Sequence, residues 1–148
     1  MTRDTRLSHE FVDYIPDKLQ RGKLYLSIEY GTAAHKCCCG CGNDVITPIT
    51  PTDWWVTLDG ETVSLEPSIG NWNFDCQSHY WIVRNRVKWA PRWSRAQVDA
   101  GRARDRAEKE RYFEGRAAAT TDTVDQVDRQ AEPGGGFGRR LAKGLSRR

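Results

Sequence analysis

No stretch of this 148-residue chain approaches the roughly 18–20 consecutive apolar residues of a membrane-spanning helix, so no membrane span is expected. The N-terminal "MTRDTRLSHEFVDYIP" lacks the apolar core of a secretory signal, which makes a cytoplasmic, reducing location the expectation. In that setting crowded cysteines are read as metal ligands or redox groups before disulfides. There is no H-E-x-x-H motif, no internal repeat, and no Lys/Arg stripe on the first ninety residues. Hydrophobic residues make up only 38% of the chain against 29% charged, so part of it is not expected to join a packed core.

What is present is divided unevenly. Residues 1–90 carry 9 basic and 11 acidic groups, a net of −2, whereas residues 91–148 carry 14 and 9, a net of +5. Five of the six tryptophans and all five cysteines precede position 91. The first part reads as six or seven short strands with turns and no helix. In "KLYLSIEY" Leu24, Leu26 and Ile28 alternate with Tyr25, Ser27 and Glu29, the period-two pattern of a half-buried strand. "WWVTLDGETVSL" predicts a hairpin around Asp59-Gly60, and "YWIVRNRVKWA" predicts another, turning at Asn85-Arg86. The fold class is therefore mainly β: a small antiparallel domain over residues 8–91, stapled by a metal. A charged helix is expected over 92–118, then a disordered linker and basic tail over 119–148, where Phe137, Leu141 and Leu145 recur at i, i+4 and i+8.

The metal expectation rests on "HKCCCGCG" at 35–42 and "CQSH" at 76–79. A structural zinc site takes four tetrahedral ligands from thiolate and imidazole, usually as two separated pairs on tight turns. Gly40 and Gly42 interleave with Cys39 and Cys41, and Cys76-x-x-His79 supplies a second pair. On spacing alone the first pair is Cys38 with Cys41 or Cys39 with Cys41. A surplus cysteine is most simply a small buried hydrophobe. An iron–sulfur centre of the Rieske type would need Cys-x-His where this chain has Cys-x-Cys.

The segment from "YGTAAHKCCCGCG" through "SLEPSIGNW" to "CQSHYWI" resembles a bacterial family known as a domain of unknown function. Its motifs are H-x-C-x-C-G-C-G, SLxPSIGNW and C-x-SHYWI. The resemblance covers about residues 10–91. It implies zinc binding and an association with ubiquitin-like conjugation genes. On the family motif fall His35, Cys37, Cys39, Cys41, Cys76 and His79, with Cys38 at a variable position. The resemblance thus favours Cys39, Cys41, Cys76 and His79 as ligands, with Cys37 in reserve.

Three functions follow as expectations. The first is a zinc-binding interaction module whose partner is a ubiquitin-like protein or its conjugating enzymes, with tryptophans on its surface. The second is a zinc-dependent peptidase acting on such a protein or its conjugates. A catalytic zinc needs an open position and a general base, and Glu29 and His35, which flank the cluster, are the candidate catalytic residues. A third, nucleic-acid binding, is not expected, because the acidic balance of the cysteine-bearing part disfavours it.

Overall fold

The structure is a computed structural model that describes residues 2–130. The expected basic tail at 131–148, with Phe137, Leu141 and Leu145, lies outside the described residues. Eight strands precede one helix: β1 Ser8–Phe11, β2 Lys23–Ser27, β3 Thr32–Lys36, β4 Asp44–Pro48, β5 Trp55–Leu58, β6 Val63–Gly70, β7 His79–Val83, β8 Arg86–Trp89 and α1 Arg95–Gln130. They form two four-stranded sheets, ordered β1-β2-β3-β4 and β5-β6-β7-β8. All neighbours are antiparallel except β1 and β2, which run parallel. The chain divides after Glu110, and the site described below lies in the first unit.

Inward-facing residues of both sheets meet in one core. Leu24, Leu26, Ala33 and Val45 come from the first sheet, and Val63, Leu65, Ile69, Tyr80, Ile82 and Val87 from the second. β2 is less one-sided than its alternation predicts. Leu24 and Leu26 face the main core, but Tyr25 is also buried, against Leu19 and Ala34, and Ser27 is buried with its hydroxyl donating to the Asp13 carbonyl at 2.8 Å. A loop packed on the outer face turns a half-buried strand into a fully buried one. Ile28 falls in the following turn and is 63% exposed.

The Asp59-Gly60 turn forms between β5 and β6. Gly60 takes a φ of 99°, open to glycine without steric cost. The Asp59 carboxylate accepts from the Thr62 hydroxyl and from the amides of Thr62 and Glu61, which carries its pKa down to about 2. The second hairpin turns at Arg84-Asn85, one residue earlier than expected. Both residues have positive φ, 49° and 63°, as a two-residue hairpin turn of the tight, right-twisting kind requires. Asparagine tolerates that conformation, and here its side chain adds two contacts. Its Oδ1 accepts from the buried Val63 amide at 2.6 Å, and its Nδ2 approaches His9 Nδ1 at 2.9 Å.

After β8, Ser94 caps the helix: its Oγ accepts from the Gln97 amide, while Gln97 Oε1 accepts from the Ser94 amide. α1 then continues to Gln130, so residues 119–130, expected to be linker, are helical. Good helix formers are concentrated in its first part, between Arg95 and Ala119.

Asn85→Gly keeps the turn conformation but strips the Val63 amide of its acceptor. It is expected to cost about 1–3 kcal/mol, and Asn85→Ala about 1–2 kcal/mol more through the left-handed backbone. Urea denaturation measures both, and unchanged midpoints would overturn this account of the turn.

Candidate functional site

The thiols gather from two directions. Cys37, Cys39 and Cys41 follow β3 and curl through Gly40, whose φ of 87° suits glycine. Cys76 comes from the connection between β6 and β7. The four sulfurs lie within 4.8 Å of one another. Individual Sγ–Sγ separations are 3.5 Å for Cys37–Cys39 and 3.9 Å for both Cys37–Cys76 and Cys41–Cys76. Four sulfurs placed tetrahedrally at about 2.3 Å from a common centre would be about 3.8 Å apart, so the donor set fits a metal ion.

Polar donors surround those sulfurs. The Ser78 hydroxyl lies 3.1 Å from Cys37 Sγ, the Asn43 amide side chain donates to Cys41 Sγ at 3.2 Å, and the Cys41 amide donates to Cys39 Sγ at 3.3 Å. Burial raises the Cys37 and Cys39 pKa values. Burial also opposes the Cys41 thiolate, but donation by Asn43 outweighs it and brings that thiol down to about 7. Cys38 points into the core instead, fully buried, and burial pushes its pKa up to about 12. It is the small buried hydrophobe.

His79 is not brought into the thiol group. It begins β7 opposite Gly70, with its side chain on the outer face of the sheet. Its Nε2 lies 2.9 Å from Ser68 Oγ and its Nδ1 lies 2.9 Å from the Pro91 carbonyl oxygen. A carbonyl can only accept, so Nδ1 carries the proton. Nε2 then presents a lone pair to the Ser68 hydroxyl. Trp72 and Trp93 close over the ring with centroids 5.0 Å and 5.1 Å away, and the two indoles stack on each other at 5.5 Å. Beside them opens a cavity of about 320 Å³ lined by Trp72, Trp93, Val98 and Arg102, among others.

Cys37 stands where His79 was expected in the thiol group, so Cys39, Cys41 and Cys76 are joined by the reserve residue. The reason is strand geometry. Cys76 ends a loop reaching inward, whereas three residues later the β7 pleat turns His79 outward. His35 is also outside the group. It is buried on β3 with Nε2 2.7 Å from the Tyr80 hydroxyl, and burial carries its pKa down to about 4. Glu29 sits exposed in the β2–β3 turn, while the cysteines follow the opposite end of β3. Five strand residues at about 3.3 Å each separate the two ends. The glutamate is no partner for the cluster.

Sequence reading gave Ser68 no role, although it lies in the "PSIGNW" segment. Only its register reveals it. β6 is irregular between Leu65 and Ile69, and the resumed pairing sets Gly70 against His79. That places Ser68 diagonally across from the imidazole on the same face.

A family model described as "BubE: Bacterial ubiquitination-like system serine protease" matches residues 11–90, more than half of the chain. No curated protein and no solved structure matches it. With 80 residues covering all the thiols and both members of the Ser68–His79 pair, the chain belongs to the BubE family of bacterial ubiquitination-like systems.

Proposed function

We propose that this chain is a serine peptidase acting on a ubiquitin-like protein or its conjugates, with Ser68 as nucleophile and His79 as its base. The observation that carries the reading is the 2.9 Å bond from Ser68 Oγ to His79 Nε2, with Nδ1 held by the Pro91 carbonyl. The words "serine protease" in the family's description support it. As Ser68 Oγ attacks a scissile carbonyl carbon, its proton passes to Nε2. The imidazolium keeps its Nδ1–H on Pro91 and then protonates the leaving group as the carbon–leaving-group bond breaks. Water, deprotonated by His79, next attacks the acyl-Ser68 ester and frees the enzyme. A main-chain carbonyl here does what a carboxylate does in a three-residue triad: it fixes the tautomer and ring orientation.

The four thiols are assigned to a structural zinc ion. All-thiolate tetrahedral sets suit zinc, and four protein ligands leave no position for a reacting water. The ion supplies cross-linking rather than Lewis acidity. This disfavours the zinc-peptidase alternative, as does the distant Glu29. An interaction module alone would leave the serine–histidine bond without a use.

Ser68→Ala is expected to lower cleavage of a ubiquitin-like fusion by about 10³-fold or more, with the fold and thiol site intact. A fluorophosphonate should add one phosphonyl group to the wild type, at Ser68, by intact and peptide mass. Cleavage by Ser68→Ala at the wild-type rate would overturn the assignment.

Elemental analysis is expected to give one zinc per chain. Because binding and folding are coupled in small metal-stapled domains, chelation should remove activity and near-UV dichroism together. Activity lost from a protein that stays folded would instead identify a catalytic metal.

A further inference from the structure

β6 is eight residues long, but β5 pairs only with its first half, from Val63 to Glu66. On that side, Pro67 to Gly70 have no partner strand among the described residues. The other side is occupied, since Ile69 pairs with Tyr80 and Gly70 with His79 of β7. In an antiparallel ladder, successive residues point their amide and carbonyl alternately toward one neighbour and the other. The Asn71 amide donates to the Ser78 carbonyl at 2.9 Å, which makes Asn71–Ser78 a hydrogen-bonded pair. The adjacent Gly70–His79 pair is then the non-bonded kind. The Ala90 amide, donating to the His79 carbonyl at 2.9 Å, confirms that the His79 main chain faces β8. By the same alternation, the Gly70 amide and carbonyl face the side that β5 has left. Neither group has a hydrogen-bond partner among the described residues. Gly70 is half-buried.

We infer that this open edge of β6 is where the substrate binds, as an extended polypeptide segment that adds a strand beside Gly70 and so lays a scissile bond against Ser68. The inference rests on the peptidase reading for the identity of the occupant. Main-chain pairing of this kind supplies affinity independent of sequence, while side chains on alternate faces supply selection. Ile69 alone separates Gly70 from Ser68, so the edge and the chemistry lie on one strand. Trp54 marks where the edge begins, because its indole Nε1 donates to the Pro67 carbonyl at 3.1 Å and occupies that acceptor. Glycine at position 70 is itself enforced. A Cβ there would stand 2.3 Å from Trp72 Nε1, so the indole lies directly on the bare Cα. Removing the Gly70 side chain as a variable leaves its main chain as the group that meets substrate.

The test uses a linear ten-residue peptide spanning the cleavage junction of a ubiquitin-like fusion, with full-length Ser68→Ala protein so that nothing is consumed. Amide exchange followed by nuclear magnetic resonance should show the Gly70 amide slowed about tenfold or more by saturating peptide. The amides of the Asp59–Thr62 turn should be unaffected. A second arm methylates the peptide's amide nitrogens one at a time. Binding should fall by about tenfold or more at one position near the junction while its immediate neighbours tolerate the change, because successive amides of a strand point to opposite sides. Peptide that binds without protecting Gly70, or tolerates methylation at every position, would overturn the inference. Failure of the peptide to bind would overturn it as well. None of those outcomes depends on Ser68 being the nucleophile, which fluorophosphonate labelling of the wild type decides separately.

Discussion

The constraint behind this site is the convergence of four thiols from the two sheets at one end of the core. Cys37, Cys39 and Cys41 belong to the β3–β4 connection of the first sheet, and Cys76 to the β6–β7 connection of the second. Drawn to within 4.8 Å of one another, their sulfurs close a loop through both sheets at one end of the core. The apolar core alone is small. A metal ion held by the four thiols, as proposed above, would add to that core a tie between the two sheets. The same tie would pin the segment between Asn71 and Ser78, which carries Trp72 and leads directly into His79.

The β6–β7 pair has different jobs on its two faces. Its inner face presents Asn71, Ser78 and Tyr80. Asn71 Nδ2 donates to Ser78 Oγ at 2.9 Å, Ser78 reaches Cys37 Sγ, and the Tyr80 hydroxyl reaches His35. Its outer face presents Ser68, Gly70 and His79. Because successive side chains of a strand alternate, the groups beside the thiols and the Ser68–His79 pair are close neighbours in sequence. A displacement of one set cannot leave the other in place. This is why a four-thiol cluster and a serine–histidine pair coexist here without sharing a residue.

The sequence was legible where a signal was local. The thiol crowding, the Asp59-Gly60 turn and the β character of the first ninety residues all depend on near neighbours, and all are present. His79 was misplaced because Cys-x-x-His spacing looks like a ligand pair, and spacing carries no information about which way a strand begins its pleat. Ser68 was invisible for a related reason: its partner is 11 residues away across a bulged register that no local pattern encodes. Tyr25 and Ser27 looked solvent-facing because strand alternation says nothing of the preceding irregular segment, Val12 to Leu19, folding back over that face. The helix runs past its expected end through a Thr-, Asp- and Val-rich stretch that propensity does not mark as helical.

The histidine's third partner follows from proline chemistry. Ala90 makes the last rung on β7, its amide donating to the His79 carbonyl. Pro91 has no N–H to continue the ladder, so β8 cannot extend and the chain must turn away there. Turning frees the Pro91 carbonyl from pairing and directs it to His79 Nδ1 at 2.9 Å. Two residues on, Trp93 folds back over the imidazole and seats against Gly101, where a Cβ would stand 2.9 Å from the indole. The segment from Ala90 to Trp93 thus holds one residue by its main chain, its ring nitrogen and its ring face. A carboxylate would stabilise the imidazolium more strongly than a neutral carbonyl, but it would need a further buried side chain and its own hydrogen-bond partners. Orientation by the main chain fixes the His79 tautomer without adding a buried charge.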